Sequence, residues 1–237
     1  IAITCKNNMF YIFNYLGEIV YSHDTENYLL AAPAIGKGYI NNNSENKEIW
    51  VPTFDSNGKI LIYYNINGNW NVFEHSINKK IQKGIALFDP NDDGITDWVY
   101  GTDDNTLEVS ILDQIDVYDV GGKVRSAPAI IKFNQNEYLI IVPSKDDNMY
   151  GINPLTGNEQ FVYETNGDVE TPSFFEHQEL GTVIVFGSSD GLLHMIDVNG
   201  NSVNGWPKNI NASITGSPVI SDIDNDGFTD IIVGQAE

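Results

Sequence analysis

Ser217-Pro218-Val219-Ile220-Ser221-Asp222-Ile223-Asp224-Asn225-Asp226-Gly227-Phe228-Thr229-Asp230-Ile231-Ile232-Val233-Gly234 reads as a short strand, a tight acidic loop and a second strand. Pro218 removes a backbone donor, which suits the start of an edge strand. Gly227 supplies the conformational freedom that a tight turn needs. The run from Asp230 to Gly234, built on Ile231, Ile232 and Val233, reads as a strand.

The opening of this stretch recurs upstream. Ala32-Pro33-Ala34-Ile35, Gly84-Ile85-Ala86-Leu87, Ala127-Pro128-Ala129-Ile130 and Thr171-Pro172-Ser173-Phe174 have the same small-Pro-apolar form, with Gly84-Ile85 as the variant. Counted at the second position, the five segments are spaced by 52, 43, 44 and 46 residues. A period of this length is a repeat of four short strands with their turns. Behind each opening comes an apolar run: Ile49–Phe54, Trp98–Thr102, Tyr138–Ser144, Thr182–Ser188 and Asp230–Gly234. Polar turns follow at Asp55–Gly58, Asp103–Asn105, Lys145–Asn148 and Ser189–Gly191. Third strands are expected at Lys59–Tyr64, Thr106–Leu112, Met149–Asn153 and Leu192–Val198. Second glycine turns at Asn67-Gly68, Thr156-Gly157 and Asn199-Gly200 lead to fourth strands. No segment carries a capped 3.6-residue stripe, so no helix is expected.

The expected fold is all-β: a β-propeller of four-stranded blades of about 45 residues. The blades are approximately 1–28 (partial), 29–80, 81–123, 124–168, 169–212 and 213–237 (partial). The first supplies three strands and the last two. With four complete units between them, this exceeds what a five-bladed ring needs. A single propeller domain or fragment, part of a ring of six to eight blades, is therefore expected over a complete five-bladed ring. The first residue is Ile1 and no leader is visible, as in a mature chain or an excised piece.

Charge narrows the function. Lys and Arg number 12 against 33 Asp and Glu, a formal net charge of -21. Nucleic-acid binding needs clustered cations, which this balance argues against. Apolar residues make up 41%, enough for a sizeable core rather than an acidic disordered tail. No apolar run approaches the roughly 20 residues of a membrane span. Cys5 is the lone cysteine, which excludes an internal disulfide and a cysteine zinc site. It reads as a small hydrophobe.

The acidic loop has a second copy. Asp89-Pro90-Asn91-Asp92-Asp93-Gly94-Ile95-Thr96-Asp97 and Asp222–Asp230 both fit D-x-[DN]-x-D-G-x-x-D, with first residues 133 apart, about three repeats. Side-chain oxygens at positions 1, 3 and 5 converge when the chain wraps a cation, and position 7 offers its carbonyl. Position 9 adds a carboxylate. The candidate ligands are Asp222, Asp224, Asp226, Phe228 and Asp230 in one loop, and Asp89, Asn91, Asp93, Ile95 and Asp97 in the other. All are oxygen donors, which favours one or two Ca²⁺ ions over Zn²⁺. Strands flank both loops and position 12 holds Tyr100 or Val233, so neither is an EF-hand. The corresponding stretches of the other repeats, Asn41–Lys47, Asn134–Glu137 and Glu176–Glu179, read as plain surface hairpins.

Ser217–Gly234 resembles an FG-GAP/VCBS-type propeller repeat, as in integrin α-subunit heads and secreted bacterial surface proteins. Phe88–Gly101 matches the same loop more loosely. Asn199-Gly200-Asn201 leading to Gly205-Trp206-Pro207 resembles the end of such a blade, and Met149–Glu159 resembles a PQQ-like repeat. The resemblance implies an extracellular, cell-surface or periplasmic calcium-binding module. Its role would be adhesion, ligand binding or assembly with a protein or glycan partner, without catalysis. The alternative is the propeller domain of a secreted enzyme: a PQQ-type dehydrogenase, a polysaccharide lyase, or an accessory domain of a protease. No vicinal cysteine pair or cluster of basic residues supports the PQQ reading. His194 is expected to pack in a third strand, and His23, His75 and His177 to be solvated. Trp206 is expected at a blade edge, and Trp50, Trp70 and Trp98 in or beside the core.

Overall fold

A computed structural model describes residues 1–40, 46–112, 114–134 and 137–236. The hairpin expected at Asn41–Lys47 lies mostly outside the described residues, and Gln135 and Asn136 of the Asn134–Glu137 hairpin lie outside them too. The described chain is all-β. Its strands form six antiparallel sheets, and within each sheet sequence neighbours are also spatial neighbours.

The chain divides into two units, Ile1–Asp119 and Val120–Glu237. The first holds a three-stranded sheet of β1 (Ala2–Thr4), β2 (Met9–Phe13) and β3 (Ile19–Asp24). Two four-stranded sheets follow in it. One is β4 (Ala34–Lys37), β5 (Lys47–Pro52), β6 (Lys59–Ile66) and β7 (Asn69–Ser76). The other is β8 (Ile85–Phe88), β9 (Asp97–Gly101), β10 (Thr106–Ile111) and β11 (Gln114–Asp119). The second unit holds a sheet of β12 (Ala129–Asn134), β13 (Glu137–Pro143), β14 (Asn148–Ile152) and β15 (Glu159–Glu164). Next comes β16 (Ser173–His177), β17 (Gly181–Gly187), β18 (Leu192–Asp197) and β19 (Lys208–Asn209), then the pair β20 (Val219–Ser221) and β21 (Asp230–Ile232).

The repeated prolines sit where the missing donor does no harm. Pro33, Pro128, Pro172 and Pro218 each directly precede the first strand of a sheet. The residue before the third strand takes positive φ in four hairpins, at Asn8, Asn105, Asp147 and Gly191, which explains the Asn/Asp/Gly turns. The fourth strand of the 169–212 repeat is the exception. Lys208–Asn209 is the only strand paired with β18 there, since Pro207 lacks a donor; upstream, Ser202 makes an isolated bridge to Ile196 and Val203 N donates to Met195 O (2.9 Å).

The core lies between sheets. Trp50, Ile60 and Ile62 pack on Ile85, Trp98 and Tyr100 in the first unit, and Phe10 and Ile12 pack on Val51, Leu61 and Tyr63. In the second, Ile131, Leu139, Ile141 and Met149 meet Ile184, Phe186 and Ile196. The middle strands β9, β13 and β17 are buried on both faces, so their sequences run apolar rather than alternating. The outer strands β3, β7 and β11 are mostly exposed.

The acidic turns do more than reverse the chain. Asp55 Oδ2 accepts from Tyr28 N (3.0 Å), Asp104 pairs with Lys79, and Asp190 Oδ2 accepts from Asn166 N (3.2 Å). Each turn between second and third strands thus grips the linker that enters its own sheet.

Candidate functional site

The two acidic loops each connect the first and second strands of a sheet: 89–96 joins β8 to β9, and 222–229 joins β20 to β21. Their backbones follow one template. Position 4 has positive φ in both (Asp92, 57°; Asn225, 59°), and so does the glycine at position 6 (Gly94, 80°; Gly227, 87°). The carboxylate at position 1 accepts two amides: Asp89 from Asp93 N (3.1 Å) and Gly94 N (2.9 Å), and Asp222 from Asp226 N (3.1 Å) and Gly227 N (3.0 Å). Asp93 Oδ1 accepts from Ile95 N and Asp226 Oδ1 from Phe228 N, both at 2.8 Å. Position 3 accepts from position 5 in both, at 3.4 Å for Asn91 and 3.2 Å for Asp224.

These bonds wind the odd-numbered side chains inward. One carboxylate oxygen from each of Asp222, Asp224 and Asp226 lies within 4.8 Å of the others, on an exposed loop. Carboxylate oxygens carry two lone pairs, so an oxygen engaged by an amide retains acceptor capacity. Three carboxylates, an exposed mouth for water and the absence of sulfur or imidazole suit a hard cation of the Ca²⁺ kind. When bound, such an ion would draw these oxygens together and neutralise their mutual repulsion. Asp230 is not part of this group; its Oδ2 accepts from Ile223 N (2.9 Å) and closes the loop from within.

The first loop differs at position 3. Asn91 Nδ2 donates to Asp93 Oδ2 (2.9 Å), so an internal hydrogen bond stands where the second loop has a like-charge contact. Asp97 is 3% exposed and its Oδ1 accepts from Leu112 N (3.0 Å), behind the loop rather than at its mouth. Thr96 is an anchor that the spacing argument passed over. It is 4% exposed, its Oγ1 accepts from Lys37 N (2.7 Å) and its N–H donates to Lys37 O (3.0 Å), tying the loop to β4. The recurrence of Thr-Asp at positions 8 and 9 of both motifs was the available signal, although Thr229 is exposed.

Sequence and structure coincide for most aromatic residues. Trp50 and Trp98 are fully buried, and Trp206 packs beside Val203 and Ile210 at a sheet edge under the Lys208 ammonium. His194 is 3% exposed in β18, stacked 5.0 Å from Phe186 with Nδ1 3.1 Å from the Tyr163 hydroxyl. Burial holds its pKa below the ordinary histidine value. His23 corrects the expectation of a solvated ring: it is half-buried, with Nδ1 2.8 Å from the Tyr63 hydroxyl, because β3 packs on β6 of the next sheet. His75 is half-buried with its ring 5.4 Å from Trp98, and His177 Nδ1 accepts from Glu179 N at 3.2 Å. A buried acid also appears: Glu48 is 1% exposed, and its carboxylate accepts from Ile40 N (2.8 Å) and Tyr39 N (3.3 Å). Burial raises its pKa, against the opposing pull of those amides.

Among solved structures, the chain is similar to BBS1N in the crystal structures of its complex with ARL6DN. The TM-score is 0.67 at 14% identity for the lead-soaked crystal and 0.68 at 15% for the mercury-soaked one. Each match covers 99% of this chain and 69% of that one, and the matched domain is a β-propeller. The fold is of the β-propeller type. At this identity the likeness carries the fold alone. No protein-family model matches the sequence. No curated protein matches it either. Among the described residues of this propeller-type chain, no helix is long and apolar enough to cross a membrane.

Proposed function

We propose that the chain is a calcium-binding β-propeller module that works by binding rather than catalysis, with a protein as its partner. The observation that carries this reading is the convergence of Asp222, Asp224 and Asp226 to within 4.8 Å on an exposed loop. The matching hydrogen-bond template of the 89–97 loop supports it. The same motif underlies the resemblance to FG-GAP/VCBS repeats. An exposed, partly hydrated site of this kind binds usefully where Ca²⁺ is near millimolar, which favours a secreted, cell-surface or periplasmic location. A protein partner is favoured because the propeller of similar fold, BBS1N, was crystallised in complex with ARL6DN.

The test is thermal unfolding of the chain after EDTA treatment, then with Ca²⁺ or Mg²⁺ restored, alongside metal analysis. Restored Ca²⁺ is expected to raise Tm by several degrees by mass action, with Mg²⁺ less effective. Equal Tm values with and without Ca²⁺, and no bound calcium, would reduce both loops to ordinary acidic turns and sink the proposal.

A further inference from the structure

Lys37 and Lys47 stand directly opposite each other in the pairing of β4 with β5. Like charges in that position destabilise a sheet, and this chain has only 12 cations to place beside 33 acids. Both side chains are exposed, and among the described residues neither ammonium forms an ion pair or hydrogen bond. The two lysines border a groove of about 300 Å³ between the first strands β4 and β8. Its walls are mainly apolar, built by Ile35, Leu87 and Phe88, and Ile35 is 68% exposed.

The surroundings shape this groove and set its sign. Gly36 turns its Cβ position to the buried face of β4, where a side chain would come within 2.6 Å of Trp50 Nε1, so β4 packs closely on the core and presents Ile35 and Lys37 outward. Thr96 fixes the opposite lip through its two bonds to the Lys37 backbone. Asp89 also lines the groove, but its oxygens accept from Asp93 N and Gly94 N, which directs the carboxylate into its own loop. The mouth therefore carries two ammoniums against one amide-bound carboxylate, and its walls are mainly apolar.

We propose that this groove is a binding site for a small amphipathic monocarboxylate, with the carboxylate between Lys37 and Lys47 and the hydrocarbon body on Ile35, Leu87 and Phe88. The volume sits at the low end of the range for small-molecule pockets, which suits a body of about ten heavy atoms. Inorganic phosphate would satisfy the lysines and leave the apolar wall wet. Asp89 and Thr96 place the groove beside the 89–97 loop, so the test is made without metal and its outcome does not depend on calcium binding.

The probe is octanoate, with octanamide as its neutral isostere, titrated calorimetrically into the full chain in EDTA. Exposed charge pairs contribute up to about fivefold each in affinity, so octanoate is expected to bind about tenfold tighter than octanamide. The Lys37→Gln/Lys47→Gln double variant is expected to lose that preference. Its Tm should be unchanged or slightly raised, because a like-charge pair is removed. Ile35→Gln should weaken both probes together. Equal affinity for octanoate and octanamide, no octanoate binding at all, or unchanged octanoate binding by the folded double variant would each overturn the proposal.

Discussion

Exchanging the third residue of the two acidic loops is expected to exchange their calcium affinities. The loops share their positive-φ positions and four side-chain-to-backbone hydrogen bonds, and their ligand sets differ in charge only at Asn91 and Asp224. Asn91→Asp places a unit charge next to a divalent ion. At a Ca–O distance of about 2.4 Å and the dielectric of water, the attraction is about 3.5 kcal/mol. The new carboxylate also repels Asp89 and Asp93. At the 4.8 Å limit seen among the carboxylates of the second loop, that costs about 0.9 kcal/mol for each. The net gain of roughly 1.5–2 kcal/mol is a ten- to thirtyfold tightening. Losing the bond from Asn91 Nδ2 to Asp93 Oδ2 removes about 1 kcal/mol from the calcium-free state, so the variant should melt lower in EDTA and gain more on adding Ca²⁺. Asp224→Asn should weaken the second loop by the same factor. Competition against a chromophoric chelator resolves the two constants. If Asn91→Asp leaves the weaker constant unchanged while Asp224→Asn leaves the stronger one unchanged, charge at position 3 does not set affinity and the common template has been misread.

Two further outcomes concern stability. Burial holds the His194 imidazole neutral, with a folded-state pKa below its unfolded value. The unfolded chain then binds the extra proton first, so this group's contribution is complete above about pH 6.5 and is lost as pH falls from there through the folded value. The Tm of the native chain should drop more between pH 7 and pH 5 than that of His194→Gln; parallel curves would show that this imidazole is not linked to folding. A Cβ at Gly187 would lie 2.1 Å from Ile214 Cγ2, on a fully buried side chain. Gly187→Ala should therefore cost about 1–3 kcal/mol in chemical denaturation, and Ile214→Ala, which removes the clashing Cγ2, should cost less in that background than in the native chain. A neutral Gly187→Ala would mean that the sheet yields there without penalty.

Much of this architecture was written in local signals. Proline before a first strand, Asn, Asp or Gly before a third, and apolar runs between them are chemical requirements of single residues, and each recurs with the period. The acidic loops were legible for the same reason, since the ligand spacing lies within nine residues. What stayed hidden depends on register and packing. Lys37 and Lys47 are ten residues apart and become neighbours only through the β4–β5 pairing. His23 lies forty residues from Tyr63, and nothing near it in sequence announces a buried partner. Glu48 resembles any surface acid in a strand until the turn at Tyr39 and Ile40 folds over it. The single oppositely placed Pro207 shortened a strand that the turn signals had marked at full length.

The grip of each acidic turn on its incoming linker bears on how the chain is made. Tyr28 waits for Asp55, Lys79 for Asp104 and Asn166 for Asp190, separations of 27, 25 and 24 residues. A ribosome delivers the chain from the N-terminus, so each linker leaves the tunnel well before the carboxylate that will fasten it. These three linkers are consequently secured only by the second hairpin of the sheet they enter, about half a repeat later in synthesis. A nascent chain stalled in that interval would carry a loose joint near its growing end, which is where a protease or chaperone would find it.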